Sequence, residues 1–254
     1  MIHFITGLPR SGTNLISSIL KQNPDIHSDS DSFLANIVTG VNLNWLSYIT
    51  NFTSTPYQNK TAVLSGIVHG YYKNIDKKYI VDNNIEWISL IPVMEAVFGE
   101  PIKIIVCVRN PAEILTSFER TRKENPLYFN QVDLALRNNN SIAGRAFHYA
   151  GPDGTLGRSH RNIKDAIVMG YLNRMLFVDY SRFCSSPKAQ TRRIYEFLSL
   201  PHYDHNFENI EQVDPLTHNL KVNPIAKKTV NCVEYLGLEL YEQYNREIFW
   251  NAWV

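Results

Sequence analysis

Residues 1–24, MIHFITGLPRSGTNLISSILKQNP, decide the fold. Residues 2–6 are a short apolar run rich in β-branched side chains, which predicts a buried strand. Residues 7–13 carry turn-forming side chains at both ends, and residues 14–21 have apolar side chains at helical spacing. A strand, a glycine-bounded loop and a helix in this order direct backbone N–H groups and the positive end of the helix at an anion. The stretch therefore predicts a phosphate-binding loop.

This loop differs from that of nucleotide triphosphatases at two positions. The spacing from Gly7 to Gly12 matches their pattern G-x-x-x-x-G-K-[ST], but Thr13 replaces the lysine and Asn14 replaces the hydroxyl that binds Mg²⁺. The loop carries its own cation at Arg10. The pattern thus predicts an anion site for which no metal is expected. The other interpretation is an ordinary strand-to-helix turn in which the glycines serve only packing.

Length and composition limit the possible classes of protein. The chain has 254 residues, 44% of them apolar, so residues 1–254 are expected to form a single domain with a sizeable core. With 25 basic and 24 acidic side chains, the net charge of +1 argues against binding to nucleic acid or to an anionic membrane. No apolar stretch is long enough to span a bilayer, and a strand at residue 2 predicts that there is no signal peptide. Three widely spaced cysteines without metal-ligand spacing favour a reducing, cytoplasmic location.

Strands and helices alternate along the rest of the chain. Strands are predicted at residues 78–81, 102–108 and 175–178, and the second of these, IKIIVCV, is typical of a buried parallel sheet. Helices are predicted at residues 33–48, 61–74, 85–98, 111–123, 163–173, 188–198 and 230–253. This alternation predicts an α/β fold of three layers, with a central parallel sheet flanked by helices.

Two segments do not follow the alternation. Residues 124–163 are the least regular and are interpreted as an insertion or lid on the substrate side, because loops of this length are usually functional. Residues 202–228 are predicted to be extended or looped. Ligands of such folds bind at the carboxyl ends of the strands. The residues expected to meet at these ends are loop 7–13, Asp82 and Asn83, residues 109–111, and Asp179 and Tyr180.

A second anion motif follows the strongest strand. Arg109 comes directly after this strand, and Ser117 lies eight residues further on, about two helical turns away. The guanidinium group and the hydroxyl group can bind one phosphate from two sides. An arginine before a helix more often forms a surface ion pair. The motif therefore indicates a phosphate site only in combination with the loop that contains Arg10.

The two motifs together resemble those of the sulfotransferases that use 3′-phosphoadenosine 5′-phosphosulfate (PAPS). The family's loop P-[KR]-S-G-T is similar to PRSGT at residues 9–13, and its Arg-then-Ser motif is similar to RNPAEILTS at residues 109–117. A softer similarity covers YSRF and the helix that ends in FLSLP. The resemblance implies a P-loop-like sulfotransferase fold, PAPS as donor and 3′-phosphoadenosine 5′-phosphate (PAP) as product. The residues that it implies for cofactor binding are Pro9, Arg10, Ser11, Gly12, Thr13, Asn14, Arg109 and Ser117, and Tyr180 is a candidate to flank the adenine.

The general base is less defined than the cofactor contacts. In the tyrosylprotein branch of the family, a carboxylate about twenty residues past the loop arginine takes the acceptor's proton, and the resemblance implies Asp31 for this role. Its other interpretation is an N-cap of the following helix. Asp82 is the second candidate, and Asp29 or a histidine remains open. Of the histidines, His160 is the one expected to approach an anion, because it lies between Arg158 and Arg161. Arg10 is expected to act as a catalytic cation on the leaving phosphate.

The sequence departs from the family in its carboxyl-terminal part. The glycine-rich R-K-G-x-x-G segment, which covers the cofactor in cytosolic members, is absent. Lys221, Arg158 or Arg161 could supply the missing cation. Residues 229–234, TVNCVE, resemble part of a dimer motif, so a homodimer stays open.

These observations lead to one hypothesis and two alternatives. The hypothesis is transfer of a sulfuryl group from PAPS to a hydroxyl, or secondarily an amine, of a small-molecule, glycan or peptide acceptor. One alternative is an ATP-dependent phosphotransferase, which the absence of the loop lysine disfavours. The other is a non-catalytic nucleotide-binding protein that kept the loop and lost its base.

Overall fold

Five parallel strands form the centre of the molecule, as seen in a computed structural model. The structure describes residues 1–29, 31–49, 57–125, 132, 135–136, 140–213, 220–223, 225, 231–245 and 248–254. The strands are β1 (Ile2–Gly7), β2 (Ile26–His27), β3 (Tyr79–Asn83), β4 (Ile104–Val108) and β5 (Met175–Asp179). Their order in the sheet is β2-β3-β1-β4-β5. The predicted parallel sheet is therefore confirmed, with the loop-bearing strand β1 at its centre.

Helices connect the strands and cover both faces of the sheet. The longer helices follow the predicted periodicity and are joined by shorter turns. In chain order they are α1 (Thr13–Leu20), α2 (Leu34–Ile49), α3 (Tyr57–Tyr71), α4 (Ile91–Phe98), α5 (Pro111–Glu124), α6 (Ile142–Ala150), α7 (Thr155–Val168), α8 (Tyr180–Ser185), α9 (Pro187–Leu198), α10 (Cys232–Leu236) and α11 (Leu238–Tyr244). Three 3₁₀ helices are Ile85–Leu90, Tyr171–Arg174 and Phe249–Ala252. None of the described helices combines the length and hydropathy that crossing a membrane requires.

Alternate residues of each strand face two separate cores. Phe4 and Val106 belong to one core, with side chains of α2, α5 and α7. Ile5 and Cys107 belong to the other, with side chains of α1 and α9. The period-two alternation of strand side chains divides them in this way. Two apolar layers of helix thus enclose the sheet and leave the carboxyl ends of its strands to carry polar groups.

Several elements differ from the predictions. Strand β2 has only two residues, too few for a sequence pattern. The predicted helix 85–98 is a 3₁₀ helix followed by α4, with a proline in the first turn of α4. The predicted helix 230–253 is divided at Gly237, whose φ of 80° ends α10. Within residues 202–228, strands β6 (Ile210–Val213) and β7 (Leu220–Asn223) form an antiparallel pair that the prediction missed.

The described part of segment 124–163 is regular. Residues 126–131, 133–134 and 137–139 lie outside the described residues, but 140–163 contain α6 and the first part of α7. Ala146, Tyr149, Leu156 and Ile163 from these helices are buried in the core that contains Phe4. The expectation of an irregular segment outside the framework is wrong for this part. Its role as a lid stays a prediction.

Candidate active site

Loop 7–13 leaves β1 through a close contact with β4. Gly7 has a φ of 152°, and a Cβ at this position would lie 2.1 Å from the carbonyl oxygen of Cys107. Immediately after it, the backbone N–H of Leu8 donates to the same oxygen at 2.9 Å. Only glycine allows this approach, because a side chain would collide with the backbone of β4. The end of β4 therefore fixes where the loop starts.

Two residues with positive φ then turn the loop into α1. Arg10 has a φ of 60° and Gly12 a φ of 91°. Between them, the hydroxyl of the buried Ser11 donates to the carbonyl of Leu8 at 2.6 Å. Helix α1 begins at Thr13, and the first N–H groups of a helix have no partner within it. The loop thus presents backbone donors and the positive end of α1 at the edge of the sheet, as the sequence predicts.

Arg109 reaches the loop from the end of β4. Its side chain is 10% exposed; Nε donates to Glu113 at 2.9 Å, and Nη1 donates to the carbonyl oxygen of Arg10 at 3.2 Å. Helix α5 starts directly afterwards, with the Asn110 side chain accepting a hydrogen bond from the N–H of Ala112. Because the connection from β4 to α5 is short, Arg109 stays at the carboxyl end of the sheet, beside the loop.

Ser117 and Arg10 connect the two motifs. The Nε of Arg10 donates to the hydroxyl of the buried Ser117 at 3.1 Å, and its Nη2 lies 3.4 Å from the hydroxyl of Thr121. The three residues come from loop 7–13 and from one face of α5. Residues more than a hundred positions apart in sequence therefore meet, and the structure brings the two predicted anion motifs into one place.

Tyr180 packs between these groups. The guanidinium carbon of Arg109 lies 4.3 Å from the centre of the Tyr180 ring. A Cβ at Gly12 would lie 2.7 Å from Cδ2 of the same ring. Burial raises the pKa of the Tyr180 hydroxyl, an effect that the positive charge of Arg109 opposes. The aromatic ring thus supports both the loop and Arg109, a contact that the adenine-flanking prediction did not include.

Asn14 forms a pair with Asn83, a residue that the sequence places at a strand end near the site but to which it assigns no role. The amide of Asn83, at the end of β3, donates to Oδ1 of Asn14 at 2.9 Å. The hydroxyl of Thr13 lies 3.4 Å from the same oxygen. Asn83 could be placed near the site because it ends a strand. Thr121, which the sequence prediction missed, lies one helical turn from Ser117, and this spacing places Thr121 and Ser117 on one face of α5. The sequence pattern could therefore have indicated Thr121.

The segment before α2 crosses the edge of the sheet beside β3. The Ser28 hydroxyl lies 2.7 Å from that of Ser17 and donates to the carbonyl of Val81 at 2.9 Å. The N–H of Ser32 donates to the carbonyl of Asn83 at 3.0 Å. These bonds attach both ends of the short stretch that carries Asp31 to α1 and β3.

Asp31 is exposed at this edge. Among the described residues, no hydrogen bond or ion pair reaches its carboxylate. The hydroxyl of Ser32, rather than Asp31, accepts the N–H of Leu34 at the start of α2 at 3.0 Å, so the N-cap interpretation of Asp31 is wrong. Partial desolvation, and secondly the negative charge of Asp82, raise the pKa of Asp31. Its catalytic role stays a prediction.

Asp82 is buried beneath this segment. Its relative exposure is 1%, and both of its oxygens accept hydrogen bonds. Burial is the main cause of its raised pKa, and its hydrogen bonds oppose the shift. Asp29, the other carboxylate considered, forms an exposed ion pair with Lys21 and lies 3.1 Å from Nε2 of His27. The three candidate carboxylates thus have three different environments: exposed without a described partner, buried with hydrogen-bond donors, and ion-paired.

The other candidate residues lie apart from this arrangement or remain undescribed. His160 packs edge-on against Phe249, and Arg158 forms an ion pair with Glu86 at 3.0 Å. Arg161 is exposed on α7. The side chain of Lys221 lies outside the described part, as do residues 229–230 of the predicted dimer motif. In the described residues, no group of three histidine, cysteine, aspartate or glutamate side chains is placed to hold a metal ion.

The parallel sheet with helices on both faces defines the broad class of three-layer α/β proteins. The profile of the sulfotransferase domain family matches residues 3–246, so the chain belongs to this family of transferases. The resemblance inferred from the two anion motifs is therefore confirmed. No curated protein sequence matches the chain.

Solved structures of sulfotransferases share the fold. The sulfotransferase domain of the Synechococcus PCC 7002 olefin synthase is 19% identical with a TM-score of 0.56, over 97% of this chain and 95% of that one. The domain from the curacin biosynthetic pathway is 15% identical with a TM-score of 0.58, over 96% of each chain. A mouse sulfotransferase solved in complex with PAP is 14% identical with a TM-score of 0.51, over 96% of this chain and 84% of that one. The predicted sulfotransferase fold is thus confirmed.

Proposed function

We propose that this sulfotransferase transfers the sulfuryl group of PAPS to a hydroxyl group of an acceptor. The observation that carries the proposal is the junction of the two anion motifs. Arg109 donates to the carbonyl of Arg10, and Arg10 donates to Ser117. A ligand with two separate phosphate groups on one nucleoside suits two donor sets held side by side. The mouse protein with the same fold was solved with PAP, which supports this choice of donor.

The residues present fit such a nucleotide at each end. The loop amides, Arg10 and the start of α1 suit the 5′ side, because free N–H groups and a cation favour phosphate oxygens. Arg109 and Ser117 suit the 3′-phosphate, because a guanidinium fork and a hydroxyl are both strong donors to phosphate oxygens. When bound, PAPS supplies an activated sulfuryl group and leaves PAP as the product. Asn14 and Asn83, which are neutral amides, supply no carboxylate for Mg²⁺ at the loop.

The two sides of the site have different chemical tasks. On the donor side, Arg10, the loop N–H groups and the positive end of α1 stabilise negative charge on the leaving phosphate. On the acceptor side, Asp31 is the exposed carboxylate that accepts the proton of the attacking hydroxyl. Its raised pKa favours this role, since a carboxylate with greater affinity for protons is a better base. A hydroxyl acceptor is preferred to an amine, because a protonated amine must lose a proton before it attacks.

Calorimetric titration tests the donor assignment first. The purified protein is titrated with PAP and with ADP, each in the presence and absence of Mg²⁺. Metal-independent binding of PAP, at least about tenfold tighter than binding of ADP, is the expected result, because only PAP places phosphates at both motifs. Preference for ADP with Mg²⁺ would instead favour a phosphotransferase.

Turnover tests the reaction itself. PAPS is incubated with the protein and a defined acceptor mixture of 4-nitrophenol, benzyl alcohol and benzylamine, and PAP release and sulfated products are measured. Sulfation of an alcohol or phenol is expected. Tight PAP binding without any turnover of PAPS would favour the non-catalytic alternative.

A further inference from the structure

The buried carboxylate of Asp82 has an unusual set of partners. Its Oδ2 accepts hydrogen bonds from the Ser32 hydroxyl, at 2.7 Å, and from the Tyr72 hydroxyl. Its Oδ1 accepts from Nε1 of Trp87 at 2.7 Å. No lysine, arginine or histidine of the described residues pairs with it. A carboxylate without a cation is costly to bury, so neutral donors from three separate parts of the chain stabilise it.

This geometry is unsuitable for proton transfer to Asp82 from a substrate. A general base must come within hydrogen-bond reach of the substrate hydroxyl. Asp82 is 1% exposed, and donors already occupy both of its oxygens. Asp31, in contrast, is exposed and lies next to Ser32, one of these donors. The contacts therefore point to an indirect role for Asp82.

We propose that Asp82 is a positioning residue, which holds Ser32 and thereby fixes the neighbouring carboxylate of Asp31 at the mouth of the site. The inference rests on the proposed function, in which Asp31 is the general base. It replaces the interpretation of Asp82 as a base itself. It also explains why a residue at the carboxyl end of β3 can matter for the reaction without touching the substrate.

Ser32 transmits the constraint through bonds on all sides. Its hydroxyl donates to Asp82 and accepts the N–H of Leu34. Its backbone N–H donates to the carbonyl of Asn83, and its carbonyl accepts the Asn84 amide at 2.7 Å. Four hydrogen bonds thus define the position and backbone direction of the residue after Asp31. Positioning to a fraction of an ångström is what general-base catalysis requires.

Charge supplies a second link between the two carboxylates. The negative charge of Asp82 is the second cause, after desolvation, of the raised pKa of Asp31. Asp29, from the same segment, acts on Asp82 in the same direction, and it is itself paired with His27 and Lys21. Tyr72, on the side of α3, is a neutral donor whose pKa is raised by burial and by Asp82. Asp82 therefore favours a protonated Asp31, which makes Asp31 the stronger base.

Asp82→Asn tests the inference, because it removes the charge and keeps the shape of the side chain. The expected results are unchanged PAP affinity by calorimetry and PAP release from PAPS reduced about tenfold with the defined acceptor mixture. Carbon NMR of protein labelled at its aspartate carboxyls should show the pKa of Asp31 shifted down towards the ordinary aspartate value. Asp76→Asn is the matched control. Asp76 is exposed and precedes the amino end of β3, whereas Asp82 lies at its carboxyl end.

Ser32→Ala separates the tether from the charge. This variant keeps Asp82 charged but removes the hydroxyl that joins it to the Asp31 segment. Reduced turnover with a smaller shift of the Asp31 pKa than in Asp82→Asn supports the positioning role. The test also stands if Asp82→Asn does not fold.

Three results would overturn the inference, and each differs from failure of the proposed donor. The role of Asp82 is contradicted if Ser32→Ala keeps wild-type turnover. It is also contradicted if Asp82→Asn keeps both wild-type turnover and the Asp31 pKa. In both cases the assignment of Asp31 as base still stands. Wild-type turnover in Asp31→Asn removes it together with the base assignment, while selective PAP binding would keep the donor assignment. If the wild-type protein bound PAP no more tightly than ADP, the result would instead contradict the proposed donor.

Discussion

The donor side and the acceptor side of the site are built in different ways. On the donor side, loop 7–13 is continuous in sequence, and Arg109 and Ser117 occur within nine residues of each other. On the acceptor side, the exposed Asp31 depends on contacts between Ser32 and residues about fifty positions away, Asp82 and Asn83. The donor side is defined by local backbone geometry, whereas the acceptor side is defined by long-range polar contacts.

Recognition of the donor and recognition of the acceptor therefore have different structural origins. Phosphate recognition reuses backbone N–H groups and fixed cations, so its residues form short motifs. Acceptor activation needs one carboxylate with a chosen environment, and many side chains can create that environment. The acceptor side can therefore change while the donor motifs are retained. Variants on each side test whether donor binding and acceptor activation are separate.

The largest effect is expected on the acceptor side. Asp31→Asn should lower turnover of PAPS with the acceptor mixture about 1,000-fold, because the amide cannot accept the proton, while PAP affinity stays unchanged. In the wild-type protein, only the charged carboxylate is active, so kcat/KM should rise with pH through the raised pKa of Asp31. This acidic limb should lie above the ordinary aspartate range and should be absent from the residual rate of the variant. Steady-state rates across pH and calorimetry measure both effects.

Asp29→Asn is the comparison for this variant. Its carboxylate is two residues away, but it pairs with His27 at 3.1 Å. A much smaller loss of turnover is expected than for Asp31→Asn. A greater loss in Asp29→Asn would transfer the role of base to Asp29.

The next effect is expected on the donor side. Arg109→Ala should weaken PAP binding about 100-fold, since it removes a charged donor to the 3′-phosphate. Binding of 5′-AMP, which lacks that phosphate, should weaken far less. Calorimetry with both nucleotides measures the difference, and equal losses would contradict the assigned role. Arg192→Ala is the matched control, because Arg192 is exposed on α9 and pairs only with Glu196 in the described residues.

A glycine pair separates loop geometry from general backbone strain. Gly12→Ala should weaken PAP binding about tenfold, because Gly12 has a φ of 91° and a Cβ would collide with Tyr180. Gly170 has a similar φ of 87° but open space around it. Gly170→Ala should therefore lower the free energy of unfolding by about 1 kcal/mol without weakening PAP binding. Urea unfolding and calorimetry distinguish the two, and equal PAP affinities would show that the Tyr180 contact is unimportant.

The smallest effect is expected at the edge of the junction. Thr121→Ala removes an exposed contact of 3.4 Å with Arg10, so PAP affinity should fall less than about threefold. Thr61→Ala, on α3, serves as the threonine control. A loss as large as that of Arg109→Ala would mean that Thr121 belongs to the phosphate site itself.

The sequence allowed prediction of the elements whose signals are local. Strands β1, β3, β4 and β5, the phosphate loop and the Arg109–Ser117 motif all have continuous patterns of five to nine residues. The two-residue strand β2 and the pair β6–β7 had no such pattern. Segment 140–163 was misread because its buried positions are spread over two short helices.

The residues of the candidate site also fall into those with a local sequence signal and those without one. The position of Arg109 followed from a strand end, and that of Ser117 from helical spacing. The partners of Asp82 did not, because Ser32, Tyr72 and Trp87 come from three elements whose meeting depends on the tertiary packing of α2 and α3. Burial of a carboxylate is a property of the folded chain, so the sequence could nominate Asp82 but not its environment.

The ring of Tyr180, which packs between Gly12 and Arg109, also acts as a spacer. One rigid ring lies between Gly12 of loop 7–13 and the guanidinium group of Arg109. The ring therefore limits how closely the turn of the loop and Arg109 can approach each other. In the proposed donor complex, this spacing favours a ligand with two separate phosphates over an equally charged one with adjacent phosphates.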